Sequence, residues 1–344
     1  MTTPLRIAVI GAGMFGRRHV ETLSNEPLCT PVAIADPMPE AAAFAKERGL
    51  AYFAEHETLL DEIRPDGVII AAPNALHAPV GLACAARKVP MLVEKPVAET
   101  VEAAEALVAA AARTGTPMLV GHHRRYNPII EKAREIVQGG GIGRLTAVTG
   151  LWLVKKPDPY FDVAWRRQPG GGPILINLIH DIDMLRFIAG EITAVTAFTA
   201  SAARGFPVED SAAIALRFAN GAVGTMTISD AVAAPWNWEL TSREYAMYAP
   251  ADENCLMFAG TEGALTVPKL ELWRYPGAKG WTSPLARESL GAPPADPQAR
   301  QIHHFCQVIR GAARPRIDGA DGTRTLAATL AVKRAAETGT PVLL

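Results

Sequence analysis

The chain of 344 residues is long enough for about two domains of ordinary size, which excludes a small disulfide-stapled scaffold. Its 34 basic and 35 acidic side chains leave a net charge of −1, so no overall charge attracts nucleic acid or a membrane surface. Apolar residues make up 49% and charged residues 20% of the chain, which is the balance of a globular protein. We therefore expect small-molecule partners, with no nucleic acid and no membrane.

Cysteine usage and the N-terminus favour a reducing, cytoplasmic location. The cysteines lie far apart without a C-x-x-C pair, so neither a zinc site nor a disulfide framework is predicted. They are Cys29, Cys84, Cys255 and Cys306. The first apolar run ends early at glycines, unlike a signal peptide, and no run reaches the roughly 18 apolar residues that cross a bilayer.

Short apolar runs alternate with Ala-rich stretches in the first third of the chain. This alternation is typical of βαβ units on a parallel sheet covered by helices on both faces. The predicted strands are residues 6–10, 31–35, 67–71, 91–93 and 118–120. The predicted helices among them include residues 78–87 and 101–113.

A glycine-rich turn separates the first predicted strand from the first helix. Its G-x-G-x-x-G residues are Gly11, Ala12, Gly13, Met14, Phe15 and Gly16. In this context the glycines permit a tight turn and close approach of a pyrophosphate to the helix N-terminus. Asp36 ends the second strand, where a carboxylate accepts hydrogen bonds from ribose hydroxyls and repels a 2′-phosphate. The sequence predicts bound NAD, with NADP disfavoured.

The sequence pattern changes after residue 121. Strand-like runs at residues 212–218 and 222–228 flank the turn signal Asn220-Gly221, which predicts a hairpin in an antiparallel sheet. Residues 277–298 are rich in Pro, Gly and Ala and predict a long surface loop, whereas residues 322–337 predict a final helix.

These patterns predict an α/β fold of two domains. Residues 1–121 form an N-terminal NAD-binding Rossmann domain with a doubly wound parallel sheet. Residues 122–344 form a C-terminal α/β domain with a mostly antiparallel sheet, which binds substrate and supports oligomerisation. The final helix is able to pack back on the first domain.

Further motifs follow in a fixed order between residues 7 and 187. They are Pro73-Asn74-Ala75-Leu76-His77, Glu94-Lys95-Pro96, Arg124-Arg125-Tyr126-Asn127-Pro128, Trp165-Arg166, and Gly170-Gly171-Gly172 leading to His180. With the glycine fingerprint, this order resembles the Gfo/Idh/MocA oxidoreductases, named for glucose-fructose oxidoreductase, inositol dehydrogenase and rhizopine catabolism. The resemblance runs over essentially the whole chain. It implies a homodimer or homotetramer that meets through the outer face of the second sheet.

The resemblance assigns catalytic roles to Lys95 and His180. It implies that Lys95 lies beside the nicotinamide and the substrate hydroxyl, and that His180 acts as acid and base. Hydride leaves a carbinol carbon readily only when the hydroxyl proton is removed, and histidine titrates near neutral pH. Lysine acts as a base only if its surroundings depress its pKa; otherwise it is a fixed cationic donor to the developing alkoxide.

The sequence departs from the family pattern before His180. Many relatives carry an aspartate four residues before this histidine, but this chain has Ile176 there and Asn177 next to it. Asn177 can form hydrogen bonds from the same helical face but cannot take up a proton. Asp183 either orients the imidazole or pairs with Arg186 on the helix surface.

The remaining candidate contacts also follow from the resemblance. On the cofactor side they are Pro73, Asn74, His77, Glu94, Lys95, Arg124, Trp165 and Arg166. On the substrate side they are Lys95, Arg124, Tyr160, Asn177 and His180. One of Arg124 and Arg125 is expected to point into the cleft and the other to lie at the surface or in a salt bridge.

Two further groups extend the candidate site. The charge and aromatic surface of Lys155, Lys156, Tyr160 and Arg167 would suit a carboxylate-bearing or ring-shaped substrate. A second aromatic group is interpreted either as pocket wall or as core and dimer packing, and it consists of Trp236, Trp238 and Tyr245. The pairs His122-His123 and His303-His304 lack metal-ligand spacing, so no metal is expected.

The sequence predicts an NAD-dependent oxidoreductase. It transfers a hydride between nicotinamide and the carbinol carbon of a sugar, polyol or cyclic alcohol bound between the two domains. Three alternatives stay open: a cis-dihydrodiol dehydrogenase for a carboxylated ring, an NAD-dependent glycoside hydrolase, and a non-catalytic NAD-binding regulator.

Overall fold

The computed structural model describes residues 3–344, which fall into two compact units. The first extends to Tyr126 and also contains Asp296–Leu326. The second consists of Asn127–Ala295 and Ala327–Leu344. Each unit has one sheet, six-stranded in the first and nine-stranded in the second.

The first unit is a doubly wound parallel sheet, so the Rossmann prediction is confirmed. Its strands are β1 (Leu5–Ile10), β2 (Cys29–Ala35), β3 (Ala51–Phe53), β4 (Gly67–Ile70), β5 (Met91–Val93) and β6 (Met118–Val120). The helices between them are α1 (Met14–Ser24), α2 (Pro39–Glu47), α3 (His56–Ile63), α4 (Asn74–Ala86) and α5 (Val101–Thr114). All four residues of β4 are buried, as expected for a strand covered on both faces.

The strand order of this sheet, β3-β2-β1-β4-β5-β6, creates a crevice at one edge. The chain winds outward from β1 in both directions, so the order reverses between β1 and β4. The loops that follow β1, β2, β4 and β5 all leave from the carboxyl edge of the sheet. Ligands of open α/β sheets bind at this edge.

The second unit contains a mostly antiparallel sheet in the order β14-β13-β12-β11-β7-β10-β9-β8-β15, which confirms its predicted class. Its strands are β7 (Leu145–Leu153), β8 (Ile192–Ala200), β9 (Ser211–Phe218), β10 (Val223–Ser229), β11 (Leu256–Gly260), β12 (Gly263–Val267), β13 (Glu271–Arg274), β14 (Ala286–Ser289) and β15 (Val342–Leu343). Its helices include α6 (Pro128–Gln138), α7 (Ile179–Ala189) and α8 (Trp238–Thr241). One face of the sheet packs against α6 and α7.

The predicted hairpin is β9 and β10, which pair antiparallel from Arg217 opposite Val223 to Ser211 opposite Ser229. Gly221 in the connecting turn has φ +87°, a conformation that favours glycine, and Asn220 Oδ1 accepts the Ala222 N–H at 3.0 Å. Buried and exposed residues alternate along β9, so one face of the hairpin is in the core and the other points outward.

The structure corrects the predicted loop at residues 277–298. This segment contains β14, a fully exposed strand that pairs with β13 at the sheet edge. Such an edge strand is stabilised by backbone pairing and lacks an apolar pattern that would reveal it. The segment also ends in a helix, α9 (Pro297–Ile309), whose N-cap is Asp296.

The chain returns to the first unit in its last part, whereas the prediction divided the chain only once, at residue 121. The helix α9 inserts Ile302, Phe305 and Cys306 into the core of the parallel sheet, although residues 122–344 were assigned to the second domain. The final helix, α10 (Gly319–Thr338), begins against the same unit: a Cβ added at Gly322 would lie 2.7 Å from Val120. Its later residues belong to the core of the second unit.

Candidate functional site

The glycine loop after β1 has the shape that a bound pyrophosphate requires. Gly11 has φ +97°, and a Cβ on it would lie 2.5 Å from the Ala71 backbone. A Cβ on Gly16 would overlap the carbonyl oxygen of Gly11, so α1 lies directly against the loop. At Gly13, by contrast, no described heavy atom comes within 4 Å of an added Cβ. The loop is therefore closely packed on the protein side and open where a ligand would approach.

The N-terminus of α1 fits an anionic ligand. Gly13 is the N-cap, and no side chain of residues 3–344 forms a capping hydrogen bond there. The first N–H groups of the helix are thus available to an anion, which the helix dipole also favours. Met14 and Phe15 are 74% and 44% exposed, and they present apolar surface beside the loop. These residues fit the predicted dinucleotide.

Asp36 lies at the end of β2 and is fixed by the loop itself. Its Oδ2 accepts the Ala12 N–H at 2.6 Å, and its Oδ1 accepts the Met38 N–H at 2.8 Å. The Tyr52 hydroxyl donates to the Asp36 carbonyl at 3.0 Å. Each carboxylate oxygen retains a second lone pair, so this side chain can still accept ribose hydroxyls.

Asp36→Ser is expected to raise the ratio of NADP to NAD affinity about tenfold or more. The change removes the charge repulsion against a 2′-phosphate. It also removes the charged acceptors for the ribose hydroxyls, and each such hydrogen bond is worth about 1.5–3 kcal/mol. Titration of both nucleotides by intrinsic fluorescence measures the ratio. Asp66→Ser is the matched control, because Asp66 Oδ2 accepts the Arg6 N–H at 2.7 Å at the opposite edge of the sheet. An unchanged ratio in Asp36→Ser would contradict the cofactor-selecting role.

The loop after β4 leads into α4 and contains two of the expected cofactor contacts. Pro73 is the N-cap of α4, and both it and Asn74 are exposed at the carboxyl edge of the sheet. His77, in contrast, is 1% exposed, with Nδ1 2.6 Å from the Pro96 carbonyl oxygen and Nε2 2.8 Å from that of Ala72. Both ring nitrogens are engaged by backbone, so His77 ties α4 to the Lys95-Pro96 segment instead of facing a cofactor. Burial lowers the pKa of His77, against the opposing effect of these carbonyl contacts.

The Glu94-Lys95-Pro96 motif follows β5 at the same edge as the glycine loop. The Glu94 N–H donates to the Ile70 carbonyl at 2.9 Å, which holds this segment next to the end of β4. Lys95 is half-buried there. Glu94 was expected to contact the cofactor, but its Oε1 lies 2.7 Å from His19 Nε2 inside the unit. Glu94 thus contacts a buried histidine, which places its carboxylate in the interior of the unit.

The arginines after β6 are both buried. Arg124 and Arg125 are 2% and 4% exposed and lie in a short 3-10 turn, His123–Tyr126. Arg125 forms an ion pair with Asp321 at the start of α10, so it takes the salt-bridge role. Arg124 is not a surface residue, and its contact with cofactor or substrate stays a prediction.

In the second unit, the Trp165-Arg166 pair lies in the 3-10 turn Ala164–Arg167. Trp165 is 54% exposed. Arg166 Nη1 donates to the Tyr160 carbonyl at 2.8 Å, and its guanidinium lies 4.0 Å from the centre of the Tyr160 ring. Lys156 Nζ lies 4.7 Å from the same ring. Two cations therefore hold Tyr160 in place.

Lys156, whose charge would suit a carboxylate-bearing substrate, is paired within the second unit. Its Nζ donates to Asn177 Oδ1 at 2.9 Å and lies 3.3 Å from Asp230 Oδ2. Burial lowers the pKa of Lys156, and the charge of Asp230 acts in the opposite direction. Asp230 also binds Arg204 at 2.9 Å, a pairing that no sequence signal indicated.

The amide of Asn177 is oriented by Lys156. An ammonium group only donates, so it fixes the Asn177 oxygen toward itself and leaves the NH2 group as the donor available to a ligand. Asn177 lies in a π-helical turn, Ile174–Leu178, directly before α7. His180 is the second residue of α7 and is half-buried.

The acids that follow His180 are inside the unit. Asp181 and Asp183 are 0% and 1% exposed, so Asp183 is not a helix-surface carboxylate. Arg186 binds Glu191 at 2.7 Å. Of the nearby aromatic residues, Trp238 is fully buried in the core, whereas Trp236 is 39% exposed.

Residues 3–344 contain neither a helix long and apolar enough to cross a membrane nor a group of three His, Cys, Asp or Glu side chains placed to hold a metal ion. The C-terminal histidine pair is engaged within the protein: His303 Nδ1 lies 3.2 Å from Glu26 Oε1, and His304 Nε2 accepts the Arg316 N–H at 3.2 Å.

A Rossmann sheet with an open glycine loop, a fixed acid after β2 and a lysine after β5 defines an NAD-binding oxidoreductase. The family model described as "Oxidoreductase family, NAD-binding Rossmann fold" matches residues 5–122, and the model of the GFO/IDH/MocA C-terminal domain matches residues 130–266. The chain therefore belongs to the GFO/IDH/MocA family of oxidoreductases.

Individual relatives match over most of the chain. The 1,5-anhydro-D-fructose reductase of Ensifer adhaerens is 30% identical over 307 residues, covering 85% of this chain and 86% of that protein. The inositol 2-dehydrogenase of Rubrobacter xylanophilus is 28% identical over 311 residues, covering 86% of each. The crystal structure of an oxidoreductase from Agrobacterium radiobacter with NAD+, L-tartaric acid and magnesium superposes with a TM-score of 0.83 at 21% identity, covering 99% of this chain and 98% of that one. The last similarity shows the shared fold.

Proposed function

We propose that this oxidoreductase is an NAD-dependent dehydrogenase that acts on a carbinol carbon of a sugar, polyol or cyclic alcohol. The observation that carries the proposal is the position of Lys95 after β5, at the same sheet edge as Gly13 and Asp36. A cation at this edge would lie close to a dinucleotide bound on the glycine loop, where a substrate oxygen would also be placed. The names of the two relatives, which act on an anhydro sugar and on inositol, support the substrate class.

The reaction assigns separate tasks to two side chains. His180 takes the hydroxyl proton, while Lys95 donates a hydrogen bond to the oxygen as negative charge develops on it. The C–H bond breaks with its electron pair and a carbonyl group forms. Bound NAD supplies the hydride acceptor, the nicotinamide C4.

Asn177 stands near the position where many relatives carry a carboxylate, but it contributes binding only. Its amide NH2 group, fixed by Lys156, donates to an oxygen of the substrate. Because an amide cannot take up a proton, the proton of the hydroxyl group passes to His180 alone. The further contacts of Tyr160, Trp165 and Arg166 complete the proposed site.

A spectrophotometric screen tests the function. Sugars, inositols and cis-dihydrodiols, each in neutral and carboxylated forms, are incubated with NAD or NADP, and NADH or NADPH formation is followed. We expect NADH formation with at least one neutral carbinol. Tight NAD binding without reduction across the panel would favour a non-catalytic regulator. Aglycone release from glycosides without net NADH would favour a glycoside hydrolase, and activity confined to carboxylated dihydrodiols would favour that alternative.

We also propose that the outer face of the nine-stranded sheet assembles the chain into a homodimer or homotetramer. A shallow groove there is lined mostly by uncharged side chains, including Ala147, Thr149, Ala215 and Thr225, and also by Arg217. Phe198 is 77% exposed on a neighbouring strand. A flat apolar surface of this kind is typical of an interface between like chains.

Ala215→Arg is expected to convert the assembly to a smaller species, because it buries charge in the interface. Light scattering after size-exclusion chromatography measures the mass, with 36.6 kDa for one chain. Ala86→Arg, at the exposed end of α4, is the control and should leave the mass unchanged. A wild-type protein with the mass of one chain would contradict the proposal.

A further inference from the structure

A chain of buried polar side chains lies behind Lys95 in the first unit. Gln298 Nε2, at the start of α9, is 3.2 Å from His19 Nδ1, and His19 Nε2 is 2.7 Å from Glu94 Oε1. Gln298 and His19 are 6% and 0% exposed. The second carboxylate oxygen, Glu94 Oε2, accepts the Lys95 backbone N–H at 3.1 Å. Three elements, α9, α1 and the end of β5, thus meet at the residue before Lys95.

The donors and acceptors of these hydrogen bonds follow one order, from Gln298 through His19 to Glu94. The Gln298 amide nitrogen donates, so His19 Nδ1 accepts and the neutral imidazole carries its proton on Nε2. This Nε2–H group donates to Glu94, whose two oxygens accept from His19 and from Lys95. Glu94 is an acceptor in both contacts, which is the behaviour of an ionised carboxylate.

Several neighbours keep Glu94 ionised although its side chain is only 12% exposed. Burial raises the pKa of Glu94, but the hydrogen bond from His19, with the charges of His123 and Lys95, holds it below its ordinary value. On α4, the buried His77 also interacts with this charge. A negative charge therefore sits beside Lys95 throughout the neutral pH range.

Close packing holds the carboxylate in this position. A Cβ added at Gly121 would lie 2.9 Å from Glu94 Cα and 3.0 Å from its carboxyl group. The Gly121 N–H donates to the Val93 carbonyl at 2.7 Å, so the end of β6 lies directly against the end of β5. The Gly121 backbone therefore closes one side of the Glu94 carboxyl group.

We infer that Glu94 and His19 are positioning residues that keep the Lys95 side chain cationic and fix its backbone at the end of β5. The inference rests on the proposed function, in which Lys95 contacts the substrate oxygen. A carboxylate within about 4–6 Å favours the protonated form of an amine. Lys95 is then the hydrogen-bond donor to the developing oxyanion and not the base, and proton removal falls to His180. Of the two roles that the sequence left open for Lys95, base and cationic donor, the inference selects the donor.

Competitive acetylation tests the inference on the full-length chain. The full chain is labelled with acetic anhydride between about pH 7 and pH 11, and mass spectrometry follows Lys95, because only the neutral amine reacts. In the wild-type protein we expect the midpoint of Lys95 labelling at or above about pH 10. In Glu94→Gln, which keeps the size but loses the charge, the midpoint should fall by about one pH unit or more. Labelling below the midpoint should then be about tenfold faster.

Matched variants separate this effect from general destabilisation. Glu26→Gln is the control, because Glu26 also pairs with a histidine of the same unit, His303, and this change should leave the midpoint unchanged. His19→Leu removes the donor that orients the Glu94 carboxylate, and the loss of this orientation should move the midpoint in the same direction but less than Glu94→Gln does. His19→Gln restores a side-chain N–H group and should return it toward the wild-type value.

Two results would overturn the inference: a wild-type midpoint below about pH 9, or equal midpoints in wild type and Glu94→Gln. If Glu94→Gln does not fold by circular dichroism, the wild-type midpoint and the His19 variants decide. The labelling uses no substrate. A failure of the dehydrogenase proposal in the screen is therefore distinguishable from a failure of this inference.

Discussion

Lys95→Ala is expected to reduce kcat by about a hundredfold or more while the Kd for NAD changes by less than about threefold. The ammonium group stabilises charge that develops only as the substrate hydroxyl loses its proton, so its removal affects turnover more than binding. The lysine lies after β5, whereas the glycine loop and Asp36, which are proposed to hold the dinucleotide, follow β1 and β2. Steady-state kinetics on the best substrate of the screen, with fluorescence titration of NAD, measure the two quantities.

The control for this variant is Lys46→Ala, which removes an exposed lysine from α2 in the same unit. Its kcat and Kd should match those of the wild type. Undiminished turnover in Lys95→Ala would remove the central element of the proposed mechanism. A loss of NAD binding equal to the loss of turnover would instead make Lys95 a cofactor ligand.

The second large effect is expected in His180→Asn. An imidazole acts as a base only in its unprotonated form, so wild-type kcat/KM should fall as pH decreases below neutrality. The variant should lose about a hundredfold or more in kcat and should also lose this acid limb of the pH profile. Rates measured across the pH range in both proteins give the comparison.

His303→Asn is the matched control because His303 is a half-exposed histidine that pairs with Glu26, and its profile should be that of the wild type. An acid limb that persists unchanged in His180→Asn would assign the titrating base to another group. The result also bears on Lys95, since the two side chains have complementary tasks in the proposed reaction.

Much of the first unit could be predicted because local sequence determines it. The strands β1 and β4 are short and mostly apolar, and the glycine motif indicates the turn that connects β1 to α1. The strand β3 was missed because it has only three residues, which are partly buried or exposed at the sheet edge. The location of α9 could not be read from the sequence, since an apolar helical stripe indicates burial but not the partner.

Part of the candidate site could likewise be predicted from local sequence, and part could not. Gly13, Asp36 and Lys95 were predicted because each follows a strand, and carboxyl ends of parallel strands share one edge. The inward positions of His77 and Glu94 were not predicted. A polar side chain turns inward when distant residues supply its partners, and Gln298 lies 279 residues from His19. The pairing of Lys156 with Asp230 depends on two strands that are far apart in the chain and is invisible to local patterns.

Because the first unit is built from two separate segments of the chain, it limits which segments relatives can exchange by recombination. Recombination with a single crossover after Tyr126 would deliver the parallel sheet without Asp296–Leu326, leaving its core short of Phe305 and the Glu94 chain short of Gln298. An evolutionary swap of nucleotide-binding modules within the family would have to inherit both segments together. Chimeras joined at that one point should therefore accumulate as insoluble or proteolysed chains, whereas chimeras that import both segments should not.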